Sequence, residues 1–205
     1  MKIAIDGPAA AGKTTLGKRL AQALGFLFVP TGAMYRAAAL AHQQGLALEE
    51  TEITVDEEGR VFLNGKDVSP LLSNPELDEL SSRLAADSRV RARLVELQRS
   101  IAEGRDVVME GRDIGTVVLP EAELKIFLWA SLEERARRRQ REQGGSFEEV
   151  LAAIRRRDER DSSRACAPLR PAPDAVVVDT TEKSPAEVLG LVLQLVEERR
   201  ARLAR

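Results

Sequence analysis

The sequence predicts an α/β fold in which a five-stranded parallel sheet is flanked by helices. Short apolar, β-branched runs alternate with helical segments, which is the order typical of a parallel sheet covered on both faces. A glycine-rich loop joins the first strand to the first helix, as in α/β proteins that bind phosphate. With 205 residues and 43% hydrophobic content, the chain can bury one real core.

Five apolar runs are predicted as the strands of that sheet. They are MKIAI (1–5), FLFVP (26–30), DVVME (106–110), KIFLWA (125–130) and AVVVD (175–179). The helices between them are marked at their ends, since Gly25 can close the first and Pro185 suits the first position of the last. The S-x-x-E patterns at 131–134 and 184–187 predict capping boxes.

The loop after the first strand has the pattern G-x-x-x-x-G-K-T. Gly7 and Gly12 let the backbone turn its N–H groups inward, and the following helix adds its positive end. Lys13 would then reach the β and γ phosphates of a nucleoside triphosphate, and the Thr14 hydroxyl would bind Mg²⁺ directly. The predicted triphosphate site comprises Gly7, Pro8, Ala9, Ala10, Ala11, Gly12, Lys13, Thr14 and Thr15.

Two other strand ends carry groups suited to a second anion. After the second strand, Thr31 can cap a helix whose first turns hold Tyr35 and Arg36. After the third, Arg112 and Asp113 project at the carboxyl edge of the sheet, the usual ligand crevice of open α/β folds. A surface ion pair would also explain the Arg-Asp dipeptide, but together the segments predict two phosphate-bearing ligands held face to face.

Two sections interrupt the strand and helix alternation. The segment 53–68 reads as a small hairpin, and two helices, 75–86 and 88–103, follow it as part of an insertion beside the substrate cleft. The segment 132–166 holds two arginine-rich helices. Solvated helices with ion pairs four residues apart would explain many of these arginines, but less well those that continue to Arg164.

The remaining composition excludes several functions. A net charge of −2 argues against a general nucleic-acid coat. Cys166 is the single cysteine and His42 the single histidine, so a disulfide framework, a Cys–His catalytic pair and a zinc cluster are not expected. Neither a signal peptide nor a long apolar span is recognisable, which makes the cytoplasm the expected location.

Several motifs together resemble the bacterial cytidylate kinase family. They are GPAAAGKT, TGAMYRAAAL, SSRLAADSRVRARL, MEGRDIGTVV, KIFLWASLEERARRR and RRDERDSSRACAPLRPAPDAVVVDT, in the family's order over nearly the whole chain. The sequence departs from the family at Pro30, where an acidic residue is common, at 9–10, where Ser-Gly is commoner than Ala-Ala, and in a short insertion around 50–76.

The resemblance implies a P-loop nucleoside monophosphate kinase that transfers the γ-phosphoryl group of ATP to CMP or dCMP with Mg²⁺. It implies one kinase domain over 1–205, within which 38–103 is the monophosphate-binding insertion and 132–166 is a mobile lid. No general base is required, because phosphoryl transfer depends on alignment and charge neutralisation. The expected partners are these small molecules, with no nucleic acid or membrane, and the chain is expected to be a monomer.

The family's functional residues match positions of this sequence. The implied catalytic residues are Lys13, Arg157 and Arg164, and Glu110 would support Mg²⁺ through water. Asp161 would hold the ribose, while cytosine N4 would face Ser82 and Asp113 and its N3 and O2 would face Arg91. The implied CMP-binding residues are Thr31, Arg36, Ser82, Arg91, Arg112, Asp113, Arg157, Asp161 and Arg164. The alternative for Ser82 and Arg91 is that they decorate an exposed helix.

Two other functions remain open at this point. A related kinase acting on AMP, UMP or shikimate would share the phosphate loop and differ in its acceptor contacts. A nucleotide-dependent switch without catalytic turnover would also use the loop, but it would hydrolyse ATP or GTP slowly and independently of an added acceptor.

Overall fold

A computed structural model describes the whole chain, residues 1–205, and its main sheet has the predicted composition. The five strands are β1 (Lys2–Asp6), β2 (Leu27–Pro30), β6 (Val107–Gly111), β7 (Leu124–Trp129) and β8 (Val176–Asp179). They pair in the order β2-β6-β1-β7-β8, and every pairing is parallel. The predicted parallel α/β fold is therefore confirmed, and each strand begins and ends within one residue of the expected position.

The chain also forms seven α-helices. They are α1 (Lys13–Leu24), α2 (Thr31–Gln43), α3 (Pro75–Leu84), α4 (Ser88–Ala102), α5 (Leu132–Gln143), α6 (Phe147–Ser163) and α7 (Pro185–Leu203). One core of 15 buried residues joins α1 and α7 to one face of the main sheet, and another of 25 joins α2, α3 and α4 to the other. None of these helices combines the length and apolar character that crossing a membrane requires.

The segment 53–68 forms more than the predicted hairpin. Its strands are β3 (Ile53–Val55), β4 (Val61–Leu63) and β5 (Lys66–Asp67), which pair as a three-stranded antiparallel sheet. Asn64 and Gly65 both have positive φ, as a two-residue hairpin turn requires. The turn after the hairpin therefore adds a third short strand. Ile53, Val61 and Leu63 bury this sheet in the larger core.

The prediction that all five strands are covered on both faces is wrong for β8. This strand lies at the edge of the sheet, paired with β7 alone, and Val177 is 58% exposed. Its apolar run has the composition of a central strand, but burial depends on position in the sheet, which the composition does not specify.

Most helix ends follow the predicted signals. Gly25 caps α1 in the left-handed conformation, and Ser184 with Glu187 forms both bonds of a capping box. At the start of α5, the Ser131 hydroxyl accepts from the Glu134 amide, but the Ser131 amide donates to the Thr181 hydroxyl instead of the Glu134 carboxylate. The capping box predicted there is only half formed.

Candidate active site

The carboxyl ends of β1, β2 and β6 bring the predicted phosphate loop and the two other anion-binding segments to one edge of the sheet. Gly7 follows β1 directly, Thr31 follows β2, and Arg112 follows β6. Because β6 lies between β2 and β1, these three chain segments are immediate neighbours in space. The edge is the place where open α/β sheets hold ligands.

The phosphate loop has backbone geometry that its glycines permit. Gly7 has a φ of 151° and Gly12 a φ of 98° at the N-terminus of α1. A β-carbon on Gly7 would lie 2.2 Å from the Leu128 carbonyl oxygen, so a side chain there would collide with the neighbouring strand. Ala10 also has a positive φ, 60°, a conformation that costs alanine ~1 kcal/mol. The departure from glycine at this position therefore strains the loop.

Lys13 lies inside the loop, with its side chain buried and its Nζ donating to the Pro8 carbonyl oxygen at 2.9 Å. Burial and then the positive charge of Arg112 lower the pKa of Lys13 to about 7, although Glu110 partly opposes them. A bound polyphosphate would supply the negative charge that this amine otherwise lacks. The loop thus holds a cation that is costly without a ligand.

Glu110, the fourth residue of β6, accepts hydrogen bonds from the first turns of α1 and α2. Thr14 Oγ1 donates to Glu110 Oε1 at 2.7 Å, and Thr31 Oγ1 donates to the Glu110 carbonyl oxygen at 2.7 Å. The expectation that the Thr31 side chain caps α2 is wrong, because the N-cap is Pro30 and has no side-chain bond. Thr31 joins α2 to the central sheet instead.

A narrow pocket opens beside the phosphate loop, between α2, α3, the segment after β6 and the end of α6. Its cavity measures about 40 Å³, room for a few water molecules. Eight of the nine predicted acceptor residues line it, and Arg36 does not. The lining residues are Thr31, Gly32, Tyr35, Ser81, Ser82, Ala85, Arg91, Gly111, Arg112, Asp113, Arg157, Asp161 and Arg164. A ligand larger than this cavity therefore requires the walls of the pocket to separate.

One end of the pocket is strongly positive. Arg112 Nε donates to Asp161 at 3.1 Å, and Arg157 lies 4.0 Å from the same carboxylate. Burial raises the pKa of Asp161, but Arg112, Arg157 and Arg164 outweigh it and hold the pKa below its usual range. Arg164 also donates to the Ala167 carbonyl oxygen at 2.9 Å. Three half-buried arginines thus surround Asp161, and Arg157 alone among them pairs with a second carboxylate, that of Asp78, which leaves positive charge for a phosphate.

The other end holds a buried ion pair and two unpaired hydroxyls. Arg91 donates to the Asp113 carboxylate and, at 3.1 Å, to the Ala85 carbonyl oxygen. The Ser82 hydroxyl and the Tyr35 hydroxyl are buried without a hydrogen-bond partner. The alternative that Ser82 and Arg91 decorate an exposed helix is wrong, since they are 4% and 3% exposed. Unpaired buried hydroxyls indicate a place for a polar ligand.

The arginines of α5 do more than form surface ion pairs. Arg138 does pair with Glu134 four residues earlier, at 3.0 Å, but it also donates to the Ala11 carbonyl oxygen and to Thr180. Arg137, in contrast, is 61% exposed and only 3.8 Å from Glu134, as the ion-pair interpretation predicts. Surface ion pairing therefore accounts for Arg137, but it accounts for only part of the contacts of Arg138.

Sequence reasoning missed several residues of this region. Arg135 is buried, donates to the Ala9 carbonyl oxygen at 3.3 Å and pairs with Asp158 of α6 at 2.7 Å. Asp6, at the end of β1, accepts from the amides of residues 114 and 115 at 2.8 Å each. Burial outweighs these two bonds and raises the pKa of Asp6 to about 6. The sequence signal that could have identified Asp6 is its position immediately before the glycine-rich loop.

Asp78 of α3 is a further residue that sequence reasoning missed. Its carboxylate lies 3.0 Å from Arg157, 3.4 Å from Arg36 and 3.8 Å from Arg139. Burial raises its pKa, but the three arginines outweigh burial and keep the pKa of Asp78 below its usual range. No pattern in the sequence indicated that one acidic residue of α3 meets arginines from three other helices.

Comparisons with known proteins show what the chain is similar to in sequence and in fold. The sequence profile described as cytidylate kinase matches residues 3–198. A protein of Thermotoga neapolitana named cytidylate kinase is 51% identical, and one of Thermotoga maritima with the same name is 47% identical, each with 97% of both chains covered. A shikimate kinase from Bacteroides thetaiotaomicron has a similar fold, with a TM-score of 0.52, 16% identity and coverage of 97% of this chain and 98% of that one.

The parallel sheet, the loop after its first strand and the arginine-lined pocket facing that loop define a P-loop kinase. The structural likeness to the shikimate kinase shows the fold alone. Within the class, the chain belongs to the cytidylate kinase family, because the family profile and the two relatives cover nearly its whole length.

Proposed function

We propose that this chain transfers the γ-phosphoryl group of ATP to CMP or dCMP, giving ADP and CDP or dCDP. The observation that carries the proposal is the pocket beside the phosphate loop, whose two ends differ in chemistry. Arginines crowd the end near Lys13, and hydroxyls with an Arg–Asp pair form the other end. A nucleoside monophosphate needs both a phosphate site and a site for its base.

The base end suits cytosine better than uracil. Cytosine offers an N4 donor beside N3 and O2 acceptors, whereas uracil has an O4 acceptor and an N3–H donor. An ionised Asp113 only accepts and the Arg91 guanidinium only donates, and the unpaired Ser82 hydroxyl can accept from N4. If UMP bound, its O4 carbonyl oxygen would lie opposite the Asp113 carboxylate, and neither group can donate a hydrogen bond. A buried mismatch of that kind lowers the affinity strongly.

The catalytic contribution of the chain is alignment and charge. In our proposal, the P-loop amides and Lys13 hold the β and γ phosphates of ATP, while Arg112, Arg157 and Arg164 neutralise the phosphate of the acceptor and the charge on the transferring group. Asp161 keeps Arg112 in place and reaches the ribose. Closure over the site excludes the water that would otherwise hydrolyse ATP.

Mg²⁺ fits the proposed site. Thr14 Oγ1 already lies 2.7 Å from Glu110 Oε1 at the start of α1, and oxygen ligands of this kind suit Mg²⁺. No group of three or more His, Cys, Asp or Glu side chains could hold a metal by itself, which fits an ion held mainly by phosphates and water. In our proposal Thr14 binds the ion directly and Glu110 through water. When bound, Mg²⁺ neutralises charge on the β and γ phosphates.

Two segments are proposed to move during the reaction. The insertion (residues 38–103) and the lid (residues 132–166) form opposite walls of the acceptor pocket through Ser82 and Arg91 on one side and Arg157 and Asp161 on the other. Because the cavity is only about 40 Å³, a nucleotide reaches it when these walls separate. The Gly144 and Gly145 turn between α5 and α6 has positive φ at both residues.

An acceptor-dependent assay of ADP release tests the proposal. With ATP and Mg²⁺, we expect CMP and dCMP to stimulate ADP release, and UMP, AMP and shikimate to do so by a much smaller factor in kcat/KM. Stimulation by one of the other acceptors instead would indicate a related kinase. Slow ADP release that ignores every acceptor would indicate a nucleotide switch.

Ser82→Ala makes the assay specific for the base site. The substitution removes a buried hydroxyl that has no hydrogen-bond partner within the protein, so folding is unaffected and the KM for CMP rises ~10-fold, as expected for one lost hydrogen bond to a ligand. The matched control is Ser73→Ala, at an exposed serine just before α3. If both variants have the same KM for CMP, Ser82 does not contact the base.

The oligomeric state, the cellular location and the absence of nucleic-acid partners stay predictions. We infer a monomer that acts in the cytoplasm on free nucleotides and binds no nucleic acid, in line with its near-neutral charge of −2. Light scattering over a range of protein concentrations gives the molecular mass in solution. A mass of twice 22.5 kDa would contradict the monomer.

A further inference from the structure

Asp6, the last residue of β1, holds the start of the chain segment that follows β6. Its Oδ1 accepts from the Ile114 amide and its Oδ2 from the Gly115 amide, each at 2.8 Å. The carboxylate is buried, and the two amides belong to a π-helical turn, Ile114–Val118. These bonds join residues 108 and 109 positions apart in the sequence. The place of the turn is therefore set by the strand end that leads into the phosphate loop.

Asp113 stands immediately before this turn, at its N-cap position. An aspartate there ordinarily directs its carboxylate to the amide of the second or third helical residue. Asp113 makes no such bond, and the amide of the second residue, Gly115, donates to Asp6 instead. The Asp113 carboxylate pairs with Arg91 across the acceptor pocket. Asp6 thus takes over the capping bond that Asp113 would otherwise make.

The charges around the two carboxylates favour the same arrangement. Burial, which is the largest cause, and the negative charge of Asp113 both raise the pKa of Asp6, whereas the two amides and then Lys13 lower it. Because like charges repel, an Asp113 carboxylate turned toward the amides that Asp6 holds would be disfavoured. The buried Arg91 guanidinium attracts Asp113 instead. Asp6 and Arg91 therefore act on Asp113 in the same direction.

The turn lies close against the sheet at Gly115. A β-carbon on Gly115 would lie 3.4 Å from Asp6 Oδ2 and 3.1 Å from Lys125 Cδ of β7. Lys125 is itself held by its bond to Asp174 at 2.9 Å. The missing side chain allows the backbone amide to reach the carboxylate directly. Contact between the turn and β1 at this point thus consists of a charged acceptor and backbone donors.

We propose that Asp6 is a positioning residue for base specificity: by occupying the amide that Asp113 would otherwise cap, it keeps the Asp113 carboxylate directed into the acceptor pocket. This inference rests on the proposed function for the role of Asp113 toward cytosine N4. Asp6 does not line the pocket, so it acts on the base through Asp113. Because Gly7 follows Asp6 directly, one residue joins the phosphate loop to the base end of the acceptor site.

Steady-state kinetics with two acceptors test the proposal. Asp6→Asn keeps the size of the side chain, but its NH₂ group cannot accept, so one of the two amides loses its partner. We expect the CMP/UMP ratio of kcat/KM to fall ~10-fold, while the KM for ATP changes less than about twofold. A structural role alone would change the KM values for ATP, CMP and UMP by similar factors and leave the ratio intact.

Asp56→Asn is the matched control for the loss of a carboxylate that holds backbone. Asp56 Oδ1 also accepts from two amides, those of Glu58 at 3.0 Å and Arg60 at 2.9 Å, but Asp56 does not line the pocket. Its CMP/UMP ratio should equal that of the wild type. In an Asp113→Asn background, Asp6→Asn should lower the ratio no further, because the residue through which it acts has already been changed.

Urea unfolding without any nucleotide tests the same coupling. Asp113→Asn leaves the buried Arg91 unpaired and should lower the urea midpoint. If Asp113 turns to the freed amide in Asp6→Asn, Arg91 has already lost its partner there, so the shift caused by Asp113→Asn should be about half as large. Asp6→Ser replaces Asp6→Asn in both experiments if the latter does not unfold cooperatively, since a serine hydroxyl also accepts from helix amides.

The outcomes separate this inference from the proposed function. An unchanged CMP/UMP ratio in the Asp6 variant, when the wild type prefers CMP, would overturn the inference and leave the proposed function intact. A fall of the ratio that is equally large in the Asp113→Asn background would also overturn it. If the wild type shows no preference for CMP, the proposed base site fails, and equal urea shifts in both backgrounds would then overturn the positioning role of Asp6.

Discussion

Replacing Lys13 by methionine should stabilise the protein while abolishing its activity. The lysine is 5% exposed, and its amine has only the Pro8 carbonyl oxygen as partner. Methionine fills a similar volume without a charge, so the variant does not have to bury an ammonium group. Turnover should fall by ~10³ or more, because the charge that neutralises the transferring phosphoryl group is lost.

The stability change depends on pH in a direction fixed by the pKa. Burial lowers the pKa of Lys13 from 10.5 to about 7, and each unit corresponds to ~1.4 kcal/mol. Below pH 7 both the folded and the unfolded chain carry the proton, and the buried charge costs the wild type ~5 kcal/mol. Above pH 7 the folded chain releases its proton first, so the cost falls to ~2 kcal/mol at pH 9 and vanishes above pH 10.5.

Urea unfolding of both proteins at pH 6 and pH 9 measures this dependence. The free energy of unfolding of Lys13→Met should exceed that of the wild type by ~3 kcal/mol more at pH 6 than at pH 9. The lost bond to Pro8, worth ~1 kcal/mol, lowers both differences equally. Lys18→Met, at an exposed position of the same helix, should show no such dependence. A difference independent of pH would refute the assignment of Lys13 as a buried, unpaired charge.

Three further substitutions test other parts of the site. Arg164→Ala should slow single-turnover phosphoryl transfer by ~10²-fold or more while ATP binding stays within about twofold; equal losses in both measurements would indicate a static ATP contact. Asp113→Asn leaves the buried Arg91 without its ion-pair partner, so urea unfolding should show a loss of ~3 kcal/mol and the CMP/UMP ratio of kcat/KM should narrow; an unchanged ratio would show that Asp113 does not discriminate between the bases. Gly7→Ala forces a β-carbon against the Leu128 carbonyl oxygen, which should lower the melting temperature and weaken ATP binding, and wild-type values of both would contradict the close approach of the phosphate loop to β7.

The amino-acid sequence by itself determined the sheet, the phosphate loop and the order of the helices. These features depend on local chemistry: apolar runs of strand length, capping residues, and glycines spaced to turn a backbone around phosphate. The phosphate-binding role of Lys13 and the Mg²⁺-binding role of Thr14 could be predicted for the same reason, because the loop between strand and helix fixes the positions of their backbone atoms. The resemblance then added expected roles for residues spread over the rest of the chain.

Only the tertiary structure decided which charged groups meet. Arg91 and Asp113 are 22 residues apart and form a buried pair. Arg135, for which the sequence predicted no role, joins α5 to α6 and to the phosphate loop, and Asp78 pairs with arginines from three other helices. The exposure of β8 likewise follows from its place at the edge of the sheet. An acidic or basic residue has the same local pattern on a solvated helix face and in a buried ion pair, because its partner is chosen by where distant segments pack.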